Sequence, residues 1–212
     1  MINNVQLNQV QSTKFLGVII DENLSWVPHI HALCDKTAKM VGILNRLKFY
    51  VPANKLKIMY TTLILPYISY GILSWGHVNT NRLLLLQKRV VRILCRANYA
   101  AHTSALFARQ NILKIADIFN LNVGKLMYNH TYSTVPIDIS NQLVLASAMH
   151  SHNTRISERN NYFVQRDRTS LSQKSVFSYA VQFWNSLIPV IRVAPSLKTF
   201  TWKLKRNLIN AY

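Results

Sequence analysis

The most restrictive feature of the chain is a run without any charged side chain, Ile58–Gly76, which reads IMYTTLILPYISYGILSWG. Its length is just sufficient for a helix to cross a bilayer, so a membrane span is one interpretation. Pro66, Gly71 and several hydroxyl-bearing side chains make the run moderately polar, and a helix surrounded by other helices has the same composition. We therefore expect a buried central helix that opens after Pro52 and kinks at Pro66, because a proline ring removes one backbone hydrogen bond.

The charge balance of the 212-residue chain is strongly basic, since 25 Lys and Arg stand against 7 Asp and Glu, a formal net charge of +18. Such self-repulsion is relieved by a polyanionic partner, of which nucleic acid is the first candidate. An anionic membrane surface or an acidic protein partner fits the same excess of charge. Hydrophobic residues make up 50% of the chain, enough for a packed core.

Cysteine usage and the first residues bear on the compartment. Cys34 and Cys95 are far apart, which does not build a disulfide framework. The opening MINNVQLNQVQ is polar and lacks the apolar core of a signal peptide. We expect an intracellular protein, in the nucleus or the cytoplasm.

The hydrophobic periodicity predicts a mainly α fold. The exception is the N-terminus, where apolar and polar residues alternate at Val5 and Leu7 and a β-branched run follows from Phe15 to Ile20, which predicts a short β-hairpin. After Pro28, spacings of three and four place a set of side chains on one helical face: Ile30, Leu33, Cys34, Thr37, Val41, Leu44 and Leu47. Further helices are predicted over residues 81–96, 103–110, 115–132 and about 176–184, with a basic amphipathic helix over 196–212.

The helix predicted over residues 81–96 has one apolar and one cationic face. Lys88, Arg92 and Arg96 repeat every four residues, and Arg82 and Arg89 lie nearby. Four residues rise by roughly 6 Å along a helix, so such a row can follow successive phosphates of a nucleic acid. A solvated surface face is the alternative, although such a face normally mixes both signs of charge.

The sequence contains no constellation for polymer chemistry. Nucleotidyl transfer with two metal ions requires at least two carboxylates close enough to share Mg²⁺, and no Asp-Asp pair exists. Asp21 and Glu22 are adjacent, but directly after a strand they fit a turn that leads into the helix. A glycine-rich phosphate loop is missing as well. We expect no catalytic residue and no cofactor in this chain.

Histidines offer weak metal candidates. On a helix, His29 and His31 diverge by about 200°, so that with Cys34 they do not form a zinc site. His150 and His152, in HSHNTR, fit a polar loop in which the flanking Arg155 contacts phosphate better than they fit a metal site.

Several short motifs occur in a fixed order along nearly the whole chain. They are KFLGVIID at Lys14–Asp21, Leu24 and Trp26 before PHI, LNRLKFYVP, LPYISYGILSWG at Leu65–Gly76, LQKRVVRIL at Leu86–Leu94, HTSALF, NILKIAD, HNTR at His152–Arg155, and a terminal pattern of Tyr179, Trp184, Asn185, Leu187, Ser196, Leu197 and Phe200. In this order the motifs resemble the reverse transcriptases of jockey-like non-LTR retrotransposons, from the primer-grip strand through the thumb. Ala180 stands where that family usually has Gly, and Pro189 lies one position later than usual.

The resemblance implies a domain organisation. Residues 1–24 would be a β-hairpin remnant of the palm with the primer grip, 25–132 a helical thumb bundle, 133–175 a linker or irregular segment, and 176–212 a small C-terminal helical module. Phe15, Leu16 and Gly17 would be the primer-grip positions.

The resemblance also implies a function. In that family the Mg²⁺-binding aspartates precede the LGV strand, so this chain would be part of an RNA-directed DNA polymerase without its catalytic palm. It would position a primer-template duplex through phosphate contacts, with the palm as its protein partner and Mg²⁺ only in the intact parent. The competing interpretation is a basic helical adaptor that uses Ile58–Gly76 to bind a membrane or a protein partner.

Overall fold

We describe the fold from a computed structural model, which describes residues 10–132, 135–149, 161–166, 168–169 and 175–212. The fold is mainly helical, with a two-stranded antiparallel hairpin at the N-terminal side followed by helices, as the hydrophobic periodicity predicted.

The secondary-structure elements follow one another closely along the chain. Two strands come first, β1 at Ser12–Phe15 and β2 at Val18–Asp21. The α-helices are α1 Val27–Leu47, α2 Ala53–Met59, α3 Leu65–Ser69, α4 Ile72–Trp75, α5 Asn81–Cys95, α6 Ser104–Gln110, α7 Ile115–Thr131, α8 Ile137–Ser140, α9 Ala146–Met149, α10 Val176–Ser186, α11 Pro189–Arg192 and α12 Leu197–Asn210, and a π-helical turn spans Tyr60–Ile64. Outside the uncharged run, the boundaries of the predicted helices agree with α1, α5, α6, α7, α10 and α12 within two or three residues.

The chain divides into two compact units. The first comprises Met1–Gly71 and Val78–Leu106, and the second Ile72–His77 and Phe107–Tyr212. The predicted division into palm remnant, thumb, linker and C-terminal module remains a prediction about the parent protein.

The first unit is built on the packing of α1 against α5. On α1 the buried side chains include Ile30, Leu33, Cys34, Thr37, Val41 and Leu44, as its three-and-four spacing predicted. On α5 they are Leu83, Leu86, Gln87, Val90, Val91, Ile93 and Leu94. The buried polar member Gln87 donates a hydrogen bond from Nε2 to the Tyr60 hydroxyl at 3.0 Å, which joins α5 to the π-helical turn.

The uncharged run is neither one continuous helix nor buried along its whole length, so the prediction of a buried central helix was wrong. Ile58, Tyr67 and Tyr70 in this run are exposed. Its helix changes to π geometry over Tyr60–Ile64, resumes as α3, and is broken where Tyr70 is extended and Gly71 has a φ of 61°. The π turn directly precedes Pro66, where the missing N–H disturbs the regular ladder. No described helix is both long enough and apolar enough to cross a membrane.

Asp21 and His29 join the hairpin to the start of α1. The Asp21 carboxylate accepts hydrogen bonds from the backbone N–H groups of Ser25 (3.0 Å) and Trp26 (2.8 Å), so it begins the approach to the helix as expected. Burial acts to raise the pKa of Asp21, but these hydrogen bonds outweigh it and lower the pKa below its usual value. His29 is buried and its Nδ1 accepts from the Ile19 N–H at 3.3 Å. Burial, with the charge of Lys36, lowers the pKa of His29.

The second unit surrounds α7, which packs against α4, α10 and α12. At the crossing with α12, Gly124 allows close approach, since a Cβ there would lie 2.5 Å from Leu204 Cδ2. An aromatic cluster fills the core nearby, where Phe200 lies beside the rings of Tyr128 and Trp184.

Part of the expected linker packs into this second unit. Leu145 and Tyr162 form an isolated antiparallel bridge, and Tyr162 is buried. The Tyr162 backbone exchanges hydrogen bonds with the Asn185 side chain at 2.8 and 2.9 Å, so Asn185 of the Trp-Asn pair fixes this segment against α10.

The Tyr60–Gln87 pair gives a prediction about alkaline stability. Burial raises the pKa of Tyr60 to about 12, against a smaller lowering by Gln87. The Tyr60 phenol of the unfolded chain loses its proton near pH 10. The neutral phenol of the folded protein therefore contributes fully to the free energy of unfolding below about pH 10. This contribution, about 3 kcal/mol in all, is lost as the pH rises toward 12.

We expect Tyr60→Phe to lower the free energy of unfolding by about 1 kcal/mol at neutral pH, through loss of the hydrogen bond. The deficit should shrink above about pH 10, because Phe does not titrate. Urea unfolding of both proteins across this pH range tests it, and a deficit that stays constant with pH contradicts the assignment.

Candidate nucleic-acid interface

A groove of about 810 Å³ runs between α1 and α5 within the first unit. Because α5 buries one face against its neighbours, the opposite arc of the helix presents its cationic side chains to the surface. Three arginines line the groove: Arg89 and Arg92 from that arc, and Arg96 from the C-cap position directly after the helix. The structure thus brings three of the predicted phosphate-binding residues together.

Two further predicted residues lie on α5 but do not line the groove. Lys88 is half-buried one turn before Arg92. Arg82 is exposed, with Nη1 at 3.0 Å from Nε2 of His31 on α1. Arg155 lies outside the described residues, as do His150 and His152.

Two of the groove arginines are held by backbone carbonyl groups. Arg92 Nε–H donates to the carbonyl oxygen of Ala101 at 3.1 Å, and Arg96 Nη2 lies 3.5 Å from the carbonyl oxygen of Val51. A carbonyl oxygen orients a guanidinium group without cancelling its charge. The cations are therefore positioned but keep their positive potential.

Sequence reasoning missed the α1 side of the groove. Asn45 lines it from α1, Lys48 and Phe49 from the two positions after that helix, and Tyr99 from the segment after α5. Lys48 Nζ lies 5.0 Å from the Phe49 ring centroid, and the Arg92 guanidinium lies 5.8 Å from that of Tyr99. Exposed aromatics beside basic residues, as in LKFY, were the available signal, but only folding shows that they share a groove with α5.

The predicted primer-grip residues occupy the tip of the hairpin, so Lys14–Asp21, expected as one strand, is instead divided between two strands by a turn. Leu16 and Gly17 form a two-residue turn in which both φ values are positive, 46° and 86°. This is what a type I′ turn requires, and Leu is an unfavourable residue there. The Tyr70 hydroxyl donates to the Leu16 carbonyl oxygen at 2.7 Å and so supports the turn. The Phe15 and Leu16 side chains are exposed.

Metal ligands are not clustered in the part of the chain that the structure describes, where no group of three His, Cys, Asp or Glu could hold an ion. Of the histidines considered for zinc, His29 points into the hairpin junction and His31 contacts Arg82.

The chain is similar over part of its length to one curated protein. It is 27% identical over 118 residues to a probable RNA-directed DNA polymerase from transposon BS of Drosophila melanogaster. The match covers 52% of the chain and 13% of the relative, so the chain spans only a small part of that protein. Neither a family model nor a solved structure matches the chain. The similarity supports a relationship to reverse transcriptases.

The hairpin turn gives a prediction with two opposite changes. Leu16→Asn should stabilise the hairpin by about 1 kcal/mol, because Asn-Gly is the preferred pair for a type I′ turn and tolerates positive φ. Gly17→Val should destabilise it by about 1–2 kcal/mol, because a β-branched residue is strained at positive φ. Amide hydrogen exchange of β1 and β2 measures both, and equal protection in the two variants would refute the turn assignment.

Proposed function

We propose that the chain is the thumb and C-terminal region of a retrotransposon reverse transcriptase of the jockey-like non-LTR type, and that it positions a primer-template duplex. The observation that carries this proposal is the groove, because three arginines of α5 and its C-cap line it and two of them contact backbone carbonyl groups. Phosphates are the ligands that such a row matches, and phosphate contacts set position and register on a duplex without reading sequence. The partial similarity to a transposon polymerase favours the same function.

The hairpin tip is the proposed primer grip. Its turn is strained at Leu16, and backbone strain of this kind persists where a function requires the conformation. Exposed Phe15 and Leu16 side chains would face a primer terminus held in the adjacent palm of the parent polymerase.

Catalysis belongs, in this proposal, to that palm and to its Mg²⁺ ions. The purified chain should therefore show no primer extension with any template, nucleotides and Mg²⁺, since two-metal catalysis needs carboxylates that share the ions. Incorporation that disappears when a residue of this chain is substituted would refute this part of the proposal.

Salt dependence tests the phosphate contacts directly. On B-form DNA the slope of log affinity against log salt becomes shallower by roughly 0.9 for each phosphate that the protein no longer neutralises. A triple change of Lys88, Arg89 and Arg96 to Gln should flatten the slope by about 2 to 3 and weaken binding. Arg92 is retained because its Nε–H holds the Ala101 carbonyl oxygen. Thermal stability should change little, since Gln is a good helix former and the buried face of α5 is untouched.

A matched control removes the same charge elsewhere. Arg109, Lys198 and Arg206 are exposed and belong to the second unit. Their change to Gln lowers the net charge equally, so it separates specific contacts from general attraction. The α5 variant should flatten the slope more than the control, and parallel lines for all three proteins contradict phosphate binding by the cationic side chains of α5 and its C-cap.

A further inference from the structure

The groove contains two aromatic side chains that are unusually exposed for their size. Phe49 is 77% exposed and Tyr99 is 78% exposed, although both line a groove. Each lies beside a cation, Lys48 for Phe49 and Arg92 for Tyr99, yet most of its ring surface remains accessible to solvent. What distinguishes these two rings from other exposed aromatics is that each offers an accessible π-face beside a cation inside one groove.

The groove also contains open space beside a glycine of α1, at a position where most other residues would make the helix more stable. Gly42 lines the groove in the middle of α1, and a Cβ placed there would meet no atom within 4 Å. Packing therefore does not require glycine at this position, and glycine is a poor residue for a helix interior. The result is free space opposite the arginines of α5.

Rings, cations and space together match a nucleotide more closely than they match a duplex backbone. A paired base is stacked inside its helix and offers only its edge, whereas an unpaired base offers a π-face. Phosphates of the same strand would meet the groove arginines, which line the same cavity as the two rings. An acidic peptide would use the cations but would leave the two rings without a matching group.

We propose that the groove between α1 and α5 binds a single-stranded nucleic-acid segment, with unpaired bases stacked on Phe49 and Tyr99 and phosphates on Arg89 and Arg96. This rests on the proposed nucleic-acid function and adds the strand type and the means of holding it. In a primer-template complex, the groove would hold an unpaired segment next to the duplex.

Leucine variants of the two rings test the stacking. The probe is a thymidine oligonucleotide of about 12 nucleotides with one central 2-aminopurine, whose fluorescence is quenched when it stacks on an aromatic ring. Phe49→Leu and Tyr99→Leu should each weaken its binding roughly 5-fold or more and reduce the quenching, because Leu keeps apolar volume but has no π-face. The salt slope should stay unchanged, since neither substitution removes a charge.

Tyr50 provides a matched control in the neighbouring position. It is 84% exposed but does not line the groove. Tyr50→Leu should leave affinity and quenching unchanged. The inference is overturned if the Phe49 and Tyr99 variants bind the oligonucleotide like the wild type, or if Tyr50→Leu has the same effect as they do. The salt-slope experiment tests the proposed function separately. That function is contradicted if the triple α5 variant keeps the wild-type salt slope.

Filling the space at Gly42 tests the location independently. Gly42→Leu should lower affinity for the oligonucleotide roughly 10-fold or more by occupying the groove, without a loss of thermal stability, since leucine is a better helix former than glycine. Wild-type affinity in a folded Gly42→Leu protein contradicts binding inside the groove.

Discussion

The packing of α1 against α5 is the interaction on which the candidate site depends. Because α5 buries Leu83, Val90 and Leu94 on one face, its arginines are restricted to the opposite arc, where α1 supplies the other wall of the groove. The Gln87–Tyr60 hydrogen bond adds a polar tie in that buried face, which restricts how α5 can rotate, since a buried donor must find its acceptor. The direction of the cationic face is therefore a result of core packing.

The hydrogen bonds of the groove arginines explain how a chain with so few acids can organise its cations. A carboxylate partner would orient a guanidinium group, but it would also neutralise it and weaken attraction for phosphate. Arg92 and Arg96 are instead oriented by carbonyl oxygens of Ala101 and Val51. These acceptors supply direction while the charge is retained, so the side chains are preorganised for an anion at a low cost in conformational entropy on binding.

The sequence predicted local features well and tertiary ones poorly. The hairpin, the buried faces of α1 and α5 and the basic arc followed from periodicity, because these patterns are set by neighbours along the chain. The break in the uncharged run was missed, since the π turn before Pro66 and the positive φ of Gly71 depend on packing as well as on the two residues. The sequence predicted one side of the groove, because its arginines belong to the basic pattern of residues 81–96. Lys48, Phe49 and Tyr99 were not predicted, because only the fold brings them to the same groove.

Two local violations of residue preference lie at the two surfaces proposed to meet nucleic acid. Leu16 adopts a positive φ in a turn that favours Asn, and Gly42 occupies an interior position of the 21-residue helix α1 where space for a side chain exists. Each lowers stability relative to a common alternative residue. The Tyr70 hydrogen bond supports the turn through the Leu16 backbone, which any residue at that position would offer. Sequences that are otherwise locally consistent violate such preferences mainly at functional positions. The turn keeps an apolar side chain exposed at the hairpin tip, and the glycine keeps the groove open, so both departures favour an accessible surface over a more stable fold.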